Sequence, residues 1–204
     1  GYTINMARSP HPTKERLISV TMSMMDGDRP DKVHIDEVLL ESGISKGSLY
    51  HHFSDFSELI EAALIRRFSI LVDGSIGLIE KVVHESKSKE EFLDGLSLVT
   101  RVTQDPALSA NRFERARALG MAGSNLRFRS ALAVEQDRLT SALEDLFRES
   151  QHRGWMSTRF NPRAAAVIIQ AYTLGQVIND VSDTKYNNDD WIALIDLILD
   201  QVFS

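Results

Sequence analysis

Residues His34 to Phe53 read HIDEVLLESGISKGSLYHHF. Ile35, Val38 and Leu39 give a short helix over Ile35 to Glu41 one apolar side, since residues three and four apart share a helical face. Ser42 with Gly43 supplies the tight turn that a helix-turn-helix requires, and Ile44 plugs that turn into a core. Ser45 is a good N-cap for a second helix ending at His52. Lys46, Gly47 and Ser48 fill its first turn, where unpaired backbone N–H groups and the helix dipole favour phosphate oxygens. Leu49 and Phe53 point inward, which leaves Lys46, Gly47, Ser48, Tyr50, His51 and His52 on or near the outer side. That side carries donors and an aromatic ring and no carboxylate.

On both flanks nearly every periodic segment reads as helix, and no alternating β-branched run bounded by turn signals appears, so the fold class is all-α. A first helix over Pro12 to Asp26 turns Leu17, Ile18, Thr21, Met24 and Met25 inward and is ended by Gly27, Asp28, Arg29 and Pro30. Asp55 followed by Glu58 has the form of a capping box and opens a long helix through Leu59, Ala63, Leu64, Phe68 and Val72. Ser88 with Glu91 caps another, which carries Phe92, Leu93, Leu96 and Val99. A shorter helix occupies Pro106 to Leu119 and is broken by Gly120 to Gly123. From Asn125 to His152 a long amphipathic helix presents Leu132, Leu139, Leu143, Leu146 and Phe147, and Gly154 ends it. Asn161 and Pro162 form an N-cap and N1 pair for a helix reaching Val181, and a loop from Asp183 to Asp190 precedes the last helix. The expected organisation is a helix-turn-helix headpiece over residues 11–57 and a helical body over 58–204.

The last helix has one apolar stripe at Trp191, Leu194, Ile195, Ile198 and Val202 and a second at Ile192, Leu199 and Phe203. The helix before it is similar, with Ile168, Ile169, Tyr172, Val177, Ile178 and Val181. That is more apolar circumference than a single core contact uses, and it predicts a homodimer built on these two helices.

With 43% hydrophobic and 25% charged residues over 204 positions, the chain is neither disordered nor fibrous. It has no cysteine, which excludes disulfides and thiolate metal sites and fits a reducing compartment. No apolar run approaches the ~20 residues that span a bilayer, and no signal-peptide core is present, so a cytoplasmic protein without membrane contact is expected. Gly1 to Asn5 read as a cloning scar ahead of Met6. The net charge of −6 does not advertise a phosphate-binding protein, and between Arg8 and Glu58 six Lys or Arg stand against nine Asp or Glu. Four of the six histidines, His11, His34, His51 and His52, lie in that segment, so its usable positive charge depends on placement and pH.

The run GISKGSLYHHF followed by an Asp-initiated helix resembles the recognition segment of the tetracycline-repressor (TetR) family, commonly Ala-Gly-Val-Ser-Lys-Gly-Thr-Leu-Tyr ending in Phe. The likeness covers the first quarter to third of the chain; the rest matches only in length and helicity. It implies a one-component regulator, a ligand-released repressor that binds a pseudo-palindromic DNA operator as a homodimer and responds to a small-molecule effector. It also implies DNA contact at Ser45, Lys46, Gly47, Ser48, Tyr50, His51 and His52, with His34 capping the first short helix near a phosphate. Three positions depart from the pattern. His34 stands where Thr or Ser is usual, Leu39 where Ala is common, and Phe56 where a Lys commonly reaches phosphate from the fourth helix. The missing cation motivates an alternative, a TetR-like interaction protein without productive DNA binding.

Elsewhere the residues carry little chemistry. The arginines from Arg112 to Arg129 could cradle an anionic ligand, but a run of charge is usually a solvated face, and that is the expected reading. His84 and His152 lack partners at metal-ligand spacing, and no catalytic triad, carboxylate pair or phosphate loop is recognisable, so neither an enzyme nor a cofactor is expected. Phe92, Leu96, Phe113, Met121, Phe128, Phe147, Trp155 and Tyr172 either line a pocket or fill the core, and for each the core is the expected place.

Overall fold

Side-chain caps set where most of the helices begin. The computed structural model describes residues 11–25 and 30–203, and its helices are α1 (Pro12–Met24), α2 (Ile35–Ser42), α3 (Lys46–His52), α4 (Phe56–Glu85), α5 (Lys89–Gln104), α6 (Ser109–Ala122), α7 (Leu126–His152), α8 (Pro162–Val181) and α9 (Asn188–Val202). Short 3₁₀ turns at Pro30–Lys32 and Pro106–Leu108 precede α2 and α6, and there is no strand among the described residues. The side chains of Ser45, Ser88, Asn125, Asn161 and Asn187 each accept a backbone N–H from the first turn of the helix that follows. Each such cap contributes about 1 kcal/mol by satisfying a donor that has no intrahelical partner. The expected break at Gly27, Asp28 and Arg29, and the segment around Met6, lie outside the described residues. Gly120 sits inside α6, and the helix stops at Gly123, three residues later than its glycines suggest.

The chain divides into two compact units between Arg67 and Phe68. In the first, Leu17, Ile18, Thr21 and Met25 meet Val33, Val38, Leu49, Phe53, Leu59, Ala63 and Leu64 in a small core. Each fully buried Leu or Phe side chain there contributes roughly 1.5–3 kcal/mol. Met24, expected inside, is half-exposed. Arg66 pairs with Glu15 at 2.8 Å, and Arg16 Nε donates to the Ser42 carbonyl at 2.6 Å, tying α1 to the end of α2.

In the second unit the core is aromatic. Phe92 lies 5.5 Å from the Trp155 ring and 5.3 Å from Phe203, which in turn is 6.0 Å from Phe147. Leu132, Leu139, Leu143 and Leu146 of α7 and Ile192, Ile195 and Leu199 of α9 complete the packing. Opposite faces of the last two helices stay apolar and exposed: Val167, Ile168, Ile178 and Val181 on α8, and Leu194, Leu197 and Ile198 on α9. No described helix is long and apolar enough to cross a membrane.

Candidate nucleic-acid interface and ligand cavities

The turn between α2 and α3 has the geometry its residues dictate. Gly43 adopts φ 67°, a left-handed conformation in which a side chain is strained, and its N–H closes α2 on the Leu39 carbonyl. Ser42 is buried, and its hydroxyl accepts the Ile44 N–H at 3.3 Å. Ser45 then caps α3 by accepting the Ser48 N–H at 3.2 Å. Leu49 and Phe53 are buried at 0% and 2% exposure, which fixes the rotation of α3 and decides what it shows outward.

Outward lie Ser45, Lys46, Gly47, Tyr50 and His51, all exposed, while Ser48 and His52 are half-buried. Nothing lies within 4 Å of where a Cβ on Gly47 would stand, so no packing inside the chain demands glycine there. Bare backbone at that point of the first helical turn leaves room for close approach by another molecule. His34 holds the N-cap position of α2 and is exposed, but its ring makes no capping hydrogen bond. At the entrance to α4, Glu58 donates its N–H to Asp55 at 2.7 Å while its carboxylate accepts from Ser54 N–H and hydroxyl at 2.6 and 2.7 Å. The box is therefore formed with the returning bond to Ser54. Phe56 is the first residue of α4 and half-buried.

A grouping that the sequence did not reveal lies at the other end of α3. His11, immediately before α1, places its ring 4.6 Å from that of His52, which is 5.1 Å from His51 in an edge-on arrangement. Desolvation, then the neighbouring His11, His51 and Lys14, push the His52 imidazole below its ordinary pKa. Lys14 also lies 5.3 Å above the Phe53 ring. Three imidazoles, one from the residue before α1 and two from the end of α3, thus gather in one place although 41 positions separate His11 from His52 in sequence.

Among the pockets of the second unit, two of about 380 and 410 Å³ share a wall of Arg112, Arg115 and Thr173. The first is otherwise lined mainly by Leu71, Ser75 and Leu78 of α4, with Val102 and Asn111; the second by Leu119, Gln136, Thr140, Arg163, Val167 and Leu174. None of the eight large side chains considered from sequence lines either one, and Leu96, Phe147 and Tyr172 border a pocket of about 30 Å³. The reading of Arg112 to Arg129 as a solvated face is corrected at two positions. Arg112 is 3% exposed and forks onto Asp180 at 2.7 and 2.9 Å, with Nη1 donating to the Thr103 and Asp105 carbonyls. Arg115 is half-buried and donates to the Leu71 carbonyl and the Ser75 hydroxyl. Arg117 and Arg129 are exposed. A partner 68 residues away decides the burial of Arg112, and local charge counting does not see it.

No family model and no curated protein matches the chain. Solved structures do. A Rhodococcus sp. protein assigned to the TetR family of transcriptional regulators superposes with a TM-score of 0.62 at 21% identity, over 95% of this chain and 100% of the other. A Mesorhizobium loti protein of the same assignment gives 0.66 at 14% identity over 93% and 94% of the two chains. The fatty acid degradation regulator FadR of Bacillus halodurans gives 0.63 at 16% identity over 94% and 96%. What is shared at these identities is architecture along the whole length, and the chain has the all-helical fold of TetR-family transcriptional regulators.

Proposed function

We propose that the chain is a DNA-binding transcriptional regulator, a homodimeric repressor released by a small molecule, with a headpiece over residues 11–57 and a sensing and dimerising body over 58–204. The observation that carries this reading is the outer side of α3: a capped first turn with Lys46 and bare Gly47, then Tyr50 and His51 exposed above a fully buried Leu49. Such a helix fits the major groove, its first-turn amides meeting phosphate and its side chains meeting base edges. The residues assigned to DNA are Ser45, Lys46, Gly47, Ser48, Tyr50, His51 and His52, with His34 beside a phosphate. The exposed apolar sides of α8 and α9 supply the second half of a four-helix subunit contact. The cavities along α4, α6, α7 and α8 supply room for an effector, and α4 runs unbroken from Phe56 to Glu85 through the boundary between the two units.

The test is fluorescence anisotropy with labelled DNA from upstream of the chain's own gene, across a salt series and against excess unrelated duplex. Specific binding weakens steeply with salt and survives the competitor. Lys46→Ala lowers affinity and flattens the salt slope by about one. Unchanged affinity in both Lys46→Ala and Tyr50→Ala removes α3 as the reading element. Absence of any salt-sensitive binding favours the alternative that Phe56 motivates, an interaction protein that keeps the fold without productive DNA contact.

A further inference from the structure

Three arginines reach the pair of cavities, and they are not equivalent. Arg112 is consumed by Asp180 and two backbone carbonyls, and Arg163 by Asp137 and Glu144 at 2.9 and 3.1 Å. Arg115 has no carboxylate within salt-bridge distance among the described residues; its bonds run from Nη2 alone, to the Leu71 carbonyl at 3.1 Å and the Ser75 hydroxyl at 2.7 Å. Desolvation holds its pKa below the ordinary guanidinium value. A guanidinium held among Leu71, Leu78, Val102 and Leu119 without a counter-charge is costly, and the cost is recovered by any anion that arrives there.

We propose that Arg115 is the anchor of an effector site for a carboxylate monoanion with an apolar body, the carboxylate forked on the guanidinium and the body in the adjoining cavities. A planar guanidinium matches a carboxylate through two parallel N–H···O bonds; each edge that offers such a pair includes Nη2, so Nε or Nη1, both free, supplies one bond and Nη2 turns from Leu71 or Ser75 to supply the other. One unpaired cation suits one negative charge; a dianion would keep half its charge without a free cation opposite it, since Arg112 and Arg163 are already paired. Cavities of about 380 and 410 Å³ lie within the usual range for small organic ligands. Occupancy also has a structural outlet. The two bonds of Arg115 tie α6 to α4, and a carboxylate competes for the same guanidinium. Leu71's carbonyl keeps the Ser75 hydroxyl as a donor at 2.9 Å, so drawing Arg115 toward the ligand leaves no orphaned acceptor on α4. That such a ligand releases DNA rests on the regulator reading above.

The experiment is calorimetric titration of the full chain with butanoate, hexanoate, octanoate and decanoate, and with octanol and octylammonium as neutral and cationic counterparts. The expected result is saturable carboxylate binding that strengthens with chain length, with octanol about tenfold weaker or more and no binding of octylammonium. Arg115→Met loses octanoate affinity by about tenfold or more, and Ser75→Ala, which removes a competitor for the guanidinium, holds or tightens it. Equal affinity for octanoate and octanol, no binding by any acid in the series, or full octanoate affinity in Arg115→Met each overturn the site. Should circular dichroism show Arg115→Met unfolded, the octanol comparison and Ser75→Ala decide. Octanoate is also added to the DNA-bound chain. A chain that binds DNA and no carboxylate defeats this inference alone, whereas carboxylate binding through Arg115 without any DNA binding upholds the site and defeats the regulator reading.

Discussion

On the proposed regulator reading, His52 is the residue at which proton uptake and DNA binding are linked. In the free chain its pKa is pushed below the ordinary value of about 6.5 by desolvation and by His11, His51 and Lys14. A phosphate brought to the same place acts in the opposite direction, so the complex binds protons that the free chain has released. Raising pH through the window between the lowered free-state pKa and the higher bound-state pKa therefore weakens the complex. Operator affinity is expected to fall from about pH 6 to pH 8, and to do so less in a His51→Gln, His52→Gln double variant; equal pH dependence in the two proteins removes these rings as charged phosphate contacts. Stability of the DNA-free headpiece carries the reverse sign: a lowered folded-state pKa means stability is lost as pH falls below about 6.5 through it. Gly47 gives a second, independent reading. Because open space surrounds its missing Cβ, Gly47→Ala should stabilise α3 by roughly 0.5 kcal/mol while weakening DNA binding. Thermal melts and anisotropy on the same variant check the two signs, and a variant that gains stability and keeps full affinity shows that the bare backbone serves no partner.

Among the elements, α6 and α8 are joined by a buried ion pair, and such pairs punish the loss of one partner more than the loss of both. Asp180→Asn strands the Arg112 guanidinium at 3% exposure and is expected to cost about 3–5 kcal/mol, a fall in Tm of roughly 10 °C. The double variant Arg112→Met, Asp180→Leu should recover most of that loss, and differential scanning calorimetry of both proteins tests the contrast. Helices and their starts were legible in the sequence because the cause is local: an Asn or Ser cap at Ser45, Ser88, Asn125 or Asn161 followed by apolar residues at helical spacing. The outer and inner sides of α3 were legible for the same reason. Arg112, Arg115 and the His11–His52 contact were not, since each is defined by a partner on another helix, and nothing in their neighbours along the chain differs from a solvated charge. Gly120 misled in the other direction: a glycine lowers helix propensity by about 1 kcal/mol without forbidding the helix, and α6 passes through it.

For the molecule as a whole, the remaining question is assembly. Ile178 on α8 and Leu197 on α9 are 74% and 57% exposed, while α9 buries Ile192, Ile195 and Leu199 and α8 buries Ala166 and Gln176. Ile178→Glu with Leu197→Glu should therefore leave folding intact and convert a dimer to a monomer in sedimentation velocity at micromolar concentration, with loss of tight operator binding. A parent chain that already sediments as a monomer under those conditions rules out the subunit contact. The packing around α9 has a further consequence, in optics. The chain has two tryptophans. Trp155 sits against the Phe92 ring beneath the Arg153 guanidinium, whereas Trp191 donates its indole N–H to the buried Gln104 amide at 2.9 Å, which in turn donates to Thr173 at 3.3 Å. Thr173 lies on the wall common to the two cavities, so one of the two native fluorophores is wired by two hydrogen bonds to the place where an effector would rest, and the other is not. With Trp155 replaced by Phe, the protein's own emission colour becomes a label-free gauge of cavity occupancy.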